Sequence, residues 1–461
     1  MRGLCVLAVS GLLLSPCLVA AQDEGEDEQA FFVDDVNLEI STELKANFRW
    51  SEKDRVPLWT PFPPEFVPAG QENVALATVA PGSSLEVSKA IVYLDLELPR
   101  EISARVKIDF IDLYDRNPTS TDKMIDVDEA WIAFGERQES LQPIDGTSFY
   151  ALIGKAPKFE RQVHRRIETY GLVSTAFNRF PDLQVQVGGS LGSNAYFFAQ
   201  MSDGNPVFMR DPNALAGDNG TAPPPNPELR LNSGFPIFYH AEVEDLQLDN
   251  GFEFGGGVGF RWLSDDQERG VDVLGFYYRN TLPEKTHLNG TLYQGDLELL
   301  AGAGIPPNGF EGDERTEWGG NLELRLGGLG VFAQFVKEES ANLPRKGFEV
   351  EAGYRVALGD LGDPSALFPA IEPVIRYSRL DNDWTAPREF ITQSALWDWQ
   401  KWDFALRTTI VRQLDLLLEY TRNDTWTGSN VSGSILDPPL GIGPGRMVKN
   451  DEFLATLRLR L

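Results

Sequence analysis

Two groups of residues have the types and spacing from which chemistry is built. The first is Gly188-Gly189-Ser190-Leu191-Gly192, which matches as a string the G-x-S-x-G elbow that presents a serine nucleophile. That elbow needs a strand before it, a helix after it, and an acid and a histidine further on. Here a short turn leads into a second extended run, Ala195 to Met201, and only His240 and His287 follow. The string therefore reads as a hairpin turn. His164, His240 and His287 are the only histidines, far apart, and Cys5 and Cys17 both lie in an apolar leader, so local spacing assembles neither a zinc site nor a thiol site. The residues point to no catalysis, no metal and no cofactor. A rim enzyme using His240 or His287, and an adhesin presenting the loop near Pro223-Pro224-Pro225, are the rival readings.

The second group is basic. Lys155, Lys158, Arg161, Arg165, Arg166 and Arg179 fall within one stretch, with His164, Glu160, Glu168 and Asp182 among them. Opposed charges at close quarters are how a pore selects what passes, since a basic wall facing acidic groups orders water and sets up a transverse field. The same residues could instead pair with one another and brace a loop. The sequence leaves both uses open.

What must position such a cluster is a set of long strands. Leu38 to Trp50 alternates strictly, every even position apolar or small and every odd one polar, which describes a strand with two different faces. The pattern recurs in Ile102 to Phe110, Phe252 to Trp262, Trp318 to Leu326, Phe348 to Leu358, Trp402 to Ile410 and Leu414 to Tyr420. These runs are near the roughly 9 to 11 residues that cross a bilayer at a tilt. No run of about 18 apolar residues follows the leader, which excludes helical spans and leaves strand-built ones.

A soluble sandwich alternates too, so the connections decide. Those at one end are long, as at 51–88, 156–182, 203–236 and 423–449, with 263–270 assigned to the same end; those at the other are mostly tight, as at Pro99-Arg100, Gly327-Gly328 and Arg412-Gln413. Long loops at one end and short turns at the other mark an outer-membrane barrel. The expectation is an all-β, transmembrane antiparallel β-barrel of about 18 strands, with 16 as the other count, long extracellular loops, short periplasmic turns and both termini in the periplasm. Hydrocarbon cannot satisfy a free sheet edge, so the sheet must close. Trp50, Trp262, Tyr354, Tyr377 and Tyr420 suit an interfacial girdle.

The chain begins with a positive start, an apolar stretch and small residues at Val19-Ala20-Ala21, so residues 1–21 read as a signal peptide, 22–36 as an acidic extension and 37–461 as the barrel. A net charge of -28 argues against nucleic acid as a partner. A strand pattern starting near residue 37 leaves no room for the plug domain of an active transporter. A barrel of this size leaves an aqueous channel.

Phe149 to Pro206 carries a family resemblance. Its elements are Ala151-Leu152-Ile153-Gly154-Lys155, Lys158-Phe159-Glu160, Gly171 to Arg179, Gln184-Val185-Gln186-Val187-Gly188-Gly189 and Ser202-Asp203-Gly204-Asn205-Pro206. In that order they resemble the strand, loop, strand, turn and strand block of Gram-negative porins of the phosphate-selective O/P type, and the block is also similar to alginate-export barrels. Phe453 to Leu461 resembles the C-terminal strand that the outer-membrane assembly machinery recognises, ending in Leu rather than Phe. The resemblance implies a third external loop folded into the lumen, at about 156–182, whose constriction would be formed by Lys155, Lys158, Arg161, Arg165, Arg166 and Arg179 with Glu160 and Glu168. It implies a passive pore for ions and small hydrophilic solutes, a homotrimer, and contact with outer-membrane lipid and lipopolysaccharide. Phosphate selectivity does not follow from the strands, whose polar faces mix Arg49, Arg105, Lys107, Arg376 and Arg407 with Glu39, Glu43, Asp109, Glu253 and Glu351. A polysaccharide exporter and a non-conducting barrel are the alternatives.

Overall fold

Strands form wherever apolar and polar side chains alternate, because a period of two places one set on each face of a pleated ribbon. A computed structural model describes residues 36–51, 55–57, 75–77, 83–112, 125–135, 137, 140–143, 146–177, 181–203, 252–281, 314–340, 343–360, 363, 366–382, 398–427 and 446–461. The expected signal peptide, and all but the last residue of the expected acidic extension, lie outside the described residues.

The elements are β1 (Asn37–Ser51), β2 (Arg55–Pro57), β3 (Ala75–Ala77), β4 (Ser83–Leu98), β5 (Ile102–Asp112), β6 (Asp126–Phe134), β7 (Ser148–Pro157), α1 (Leu172–Ala176), β8 (Pro181–Leu191) and β9 (Ala195–Ser202). They continue with β10 (Glu253–Leu263), β11 (Arg269–Thr281), β12 (Glu314–Leu326), β13 (Leu329–Ser340), β14 (Leu343–Tyr354), β15 (Val356–Ala357), β16 (Ala370–Asn382), β17 (Asp398–Val411), β18 (Leu414–Thr427) and β19 (Arg446–Arg460). β2 and β3 pair only with each other. β15 resumes β14 after Arg355 and pairs with the same neighbour, β16. The rest pair antiparallel in chain order, and β1 pairs with both β4 and β19, which closes a barrel of sixteen strands.

Sixteen rather than eighteen follows from two direct pairings. β9 runs beside β10, with Ser202 opposite Glu253 and Ala195 opposite Phe260, so no strand stands between them. The segment 237–243, whose weak alternation keeps 16 as the other count, lies outside the described residues, and 263–270 falls at the end of the tight turns, opposite to its expected side. β11 likewise pairs β12 from Thr281 opposite Glu314 to Arg269 opposite Leu326.

The outer face is apolar and open. Leu38, Ile40, Phe48 and Trp50 of β1, Phe254, Val258, Phe260 and Trp262 of β10, and Phe404 and Leu406 of β17 all lie exposed, with Val258 at 70% and Phe254 at 58%. The inner face holds the charge: Glu43, Lys45 and Arg49 of β1, Glu349 and Glu351 of β14, and Lys401 and Asp403 of β17 are buried. A soluble protein has this arrangement the other way round. Such a surface belongs in lipid, which also accounts for the closed ring.

Candidate functional site

β7 and β8 end their ladder on two prolines, Pro157 opposite Pro181. Proline has no N–H to donate, so the pairing stops and the chain leaves the wall. Residues 158–177 turn into the lumen and carry the single helical turn α1, whose Leu172, Val173, Ala176 and the following Phe177 are fully buried. Residues 178–180 lie outside the described residues.

The loop is fastened by ion pairs and hydrogen bonds to the far wall, in three groups. At its start, Lys158 Nζ lies 2.6 Å from Glu253 on β10 and 4.4 Å from the centre of the Tyr278 ring. Arg315 on β12 shares that Glu253 at 2.9 Å and also binds Glu317 and Glu338. Tyr278 donates to Glu160 at 2.6 Å, and Asn321 and Gln334 donate to the Glu160 carbonyl at 2.6 and 2.9 Å. At the tip, Arg166 lies 3.3 Å from both Glu351 and Glu372. Its guanidinium and stem occupy the space where a side chain at Gly330 or Gly353 would stand, so those wall positions need glycine to admit it. On the return, Lys45 of β1 binds Glu168 at 2.6 Å, while the Glu168 and Thr169 N–H groups donate to Glu419 at 3.0 and 3.3 Å. Arg376 donates to the Thr169 carbonyl at 2.9 Å and binds Asp403 at 2.8 Å, and Lys401 donates to the Tyr170 carbonyl at 2.8 Å.

Phe159 adds an apolar key. Its ring stacks on Phe198 at 4.5 Å and leans on Tyr196 at 5.9 Å. Those two rings and Tyr278 cover Gly255, Gly257 and Gly259, the inward positions of β10, where any side chain would collide with them. Burial pushes the Glu168 carboxyl upward, but Lys45, Arg165 and Arg458 outweigh it and hold it below the ordinary carboxylate range.

A second segment enters from the opposite end. Between β6 and β7, Leu141 is buried, Ser140 and the Leu141 N–H donate to Asp272 at 3.1 and 3.2 Å, and Arg261 binds Asp272 at 2.7 Å. This connection is the exception to the short turns expected at that end. A cavity of about 250 Å³ lies between Leu141, the loop tip at His164 and Arg166, and the wall at Glu323, Arg325, Arg355 and Glu372.

The basic cluster read from the sequence divides. Lys158, Glu160 and Glu168 are buried and brace the loop. Arg161, Arg165 and Arg166 are half-buried and His164 exposed at the tip, with Arg165 stacked 3.8 Å from the Tyr170 ring centre. Lys155 is a correction: it pairs with Ala130 and Leu183, on the face of the exposed Phe149, Ile153 and Leu183, and donates to the Val127 carbonyl at 2.7 Å. It sits on the outside because it is two residues from Ile153 in a strand. Arg179 lies outside the described residues, as do His240 and His287. Ser190, at the end of β8, donates to the Gly146 carbonyl at 2.8 Å and accepts from the Ser148 N–H at 3.0 Å, and the elbow string leads into strand β9 rather than into a helix. Thr169, Glu419 and Asp403 were missed; alternation puts the two acids inward, but nothing in the chain pairs them with a loop some 230 to 250 residues away.

These bonds hold the loop to β1 and to β10 through β18. None of them reaches β4, β5 or β6, where Arg105 and Asp95 form an ion pair at 2.6 Å with 33% and 28% of their side chains exposed.

No protein-family model matches the chain, and no curated protein does. Solved structures do. The outer membrane channel DcaP of Acinetobacter baumannii superposes with a TM-score of 0.51 at 10% identity, covering 92% of this chain and 97% of that one. OprB of Pseudomonas putida gives 0.48 at 8% identity over 92% and 94%, and an anion-selective porin from Comamonas acidovorans gives 0.46 at 7% over 93% and 100%. At these identities the likeness is one of fold, carried by the first of the three, and the fold is that of an outer-membrane β-barrel.

Proposed function

We propose that this chain is a passive porin of a Gram-negative outer membrane: a water-filled channel for ions and small hydrophilic solutes. The observation that carries the reading is the loop of 158–177, which narrows a sixteen-strand lumen from one side and leaves Arg105 and Asp95 of the facing wall in contact with solvent. Arg161, Arg165 and Arg166, at the tip of that loop, are the groups we assign to the constriction. The related fold supports a general pore; phosphate selectivity is the narrower alternative. Cations described above are matched by carboxylates, Lys158 with Glu253, Arg376 with Asp403 and Arg105 with Asp95, which favours weak ion selectivity over a phosphate filter. Assembly as a homotrimer and insertion through the C-terminal strand complete the proposal.

The test is conductance and reversal potential of the purified protein in a planar bilayer under a salt gradient, for wild type and for Arg165→Ala with Arg166→Ala. Stable open steps are expected, with a small reversal potential that moves toward cation preference in the double variant. A bilayer that stays silent at all protein concentrations defeats the porin reading.

A further inference from the structure

Among the described residues, several aromatic rings that face the lumen are sealed: Tyr150, Tyr196, Phe198, Phe276, Tyr278 and Trp399 are each at most 5% exposed. Tyr93 and Trp131 are not, and both stand half-buried on the wall of β4 to β6. Their strands place them in two cross-strand rows. Asp95, Arg105 and Trp131 face one another across β4, β5 and β6, and Tyr93, Lys107 and Glu129 form the next row along. Two strand spacings by two residues make a patch of about 10 by 7 Å. Within it the Arg105 guanidinium lies between the rings, 6.0 Å from Tyr93 and 5.9 Å from Trp131, and is fixed by Asp95 at 2.6 Å. Trp131 Nε1 donates to Glu129 at 3.3 Å.

From this we infer a carbohydrate-binding subsite on the lumen wall, formed by Tyr93, Asp95, Arg105, Lys107, Glu129 and Trp131. The argument is one of chemistry. Arg105 is matched by Asp95, and Lys107 by Asp128 and Asp109, so these cations are neutralised in place and the patch offers fixed donors and acceptors side by side. Hydroxyls both donate and accept, so a neutral polyhydroxylated ring can use both kinds at once. Ring faces on the same wall suit the apolar face of a pyranose, and the patch is the size of one or two sugar rings. The subsite rests on the porin reading, which it deepens by naming the solute.

The experiment is block of the open channel by maltotriose, with benzoate as the anionic aromatic probe, in planar bilayers. Saturable block by maltotriose is expected, with the half-blocking concentration raised about tenfold in Trp131→Ala, the loss of roughly one stacking contact, and largely restored in Trp131→Phe. Trp131 also packs against the Ala133, Tyr150, Leu152 and Ala156 cluster, so Tyr93→Ala serves as a second probe if Trp131→Ala does not assemble. An open channel that maltotriose does not block, one that only benzoate blocks, or equal block in wild type and variants overturns the subsite and leaves the porin reading standing. Absence of any conductance removes both.

Discussion

Arg376 joins the wall to the loop through one guanidinium. It is fully buried, binds Asp403 at 2.8 Å, and donates to the Thr169 carbonyl at 2.9 Å and hydroxyl at 3.0 Å. Methionine there would fill similar space, leave Asp403 with only Lys401 at 3.3 Å as its cation, and take from the Thr169 carbonyl its guanidinium donor. Removing one partner of a buried pair costs about 3–5 kcal/mol. Arg376→Met is therefore expected to lower the urea midpoint of vesicle-folded protein and to loosen the loop, seen as larger and noisier conductance steps. Lysine keeps the charge without the planar fork, so Arg376→Lys is expected to fall between. Glu168 supplies a pH dependence. Its carboxyl sits below the ordinary 4.5 when folded. A depressed value means that the anchor contributes fully above the unfolded value and is lost as the pH falls through the folded one. The Lys45–Glu168 anchor should thus hold from neutral pH to about 4.5 and weaken only in strongly acidic solution, and Glu168→Gln should weaken that anchor at neutral pH and flatten its acid response. Conductance recorded as a function of pH checks both; a wild-type channel that loosens as the pH rises would contradict the assignment.

Strands and their turns were the most legible level. Alternation separated lipid-facing from lumen-facing residues in β1, β10 and β19 because the period of two has no competing reading over so many residues. It failed where charge was followed rather than parity, as for Lys155, which shares the outward face of Ile153. The tuck of Leu141 left no sequence signal, since one leucine in a turn looks like any other. The Pro99-Arg100 turn was visible, but not its strain: Arg100 and Glu101 both have φ in the left-handed region, 68° and 59°. Residues with side chains hold that conformation at about 1 kcal/mol or more each, which asparagine and glycine reduce. Arg100→Asn with Glu101→Gly is expected to raise the unfolding midpoint without changing conductance. The closing strand makes the opposite case. Thr42 and Leu461 exchange both backbone hydrogen bonds, at 2.8 and 3.0 Å, and β19 runs from there beside β1 to Trp50 opposite Phe453. Deleting 453–461 would expose two strand edges to hydrocarbon. Loss of the heat-modifiable folded band on electrophoresis is the expected result.

At the scale of the whole molecule, the barrel and its inward loop are separable. Ring closure depends on sixteen backbone ladders, none of which includes residues 158–177. The side-chain chemistry of the lumen depends on the loop: Glu253, Glu351 and Glu419 each find a partner on it. That dependence was only half legible. The sequence showed a cluster of opposed charges in one loop and mixed charge on the strands, but partners separated by up to 251 positions meet only once the ring has closed. The consequence distinguishes two kinds of damage. A point change such as Arg376→Met leaves Asp403 buried with Lys401 and Thr421 but without the guanidinium that lay 2.8 Å from it. Replacing 159–176 by a short Gly-Ser linker instead opens the lumen, and the orphaned carboxylates regain hydration, whose loss is the main cost of burying charge. The linker variant should therefore still form a heat-modifiable barrel and give a several-fold larger conductance. With Arg161, Arg165 and Arg166 gone and Glu351 and Glu419 uncovered, its reversal potential should shift toward cations, and that shift should shrink as ionic strength rises. A linker variant that cannot fold would show instead that the loop belongs to the barrel's folding core rather than to its gate.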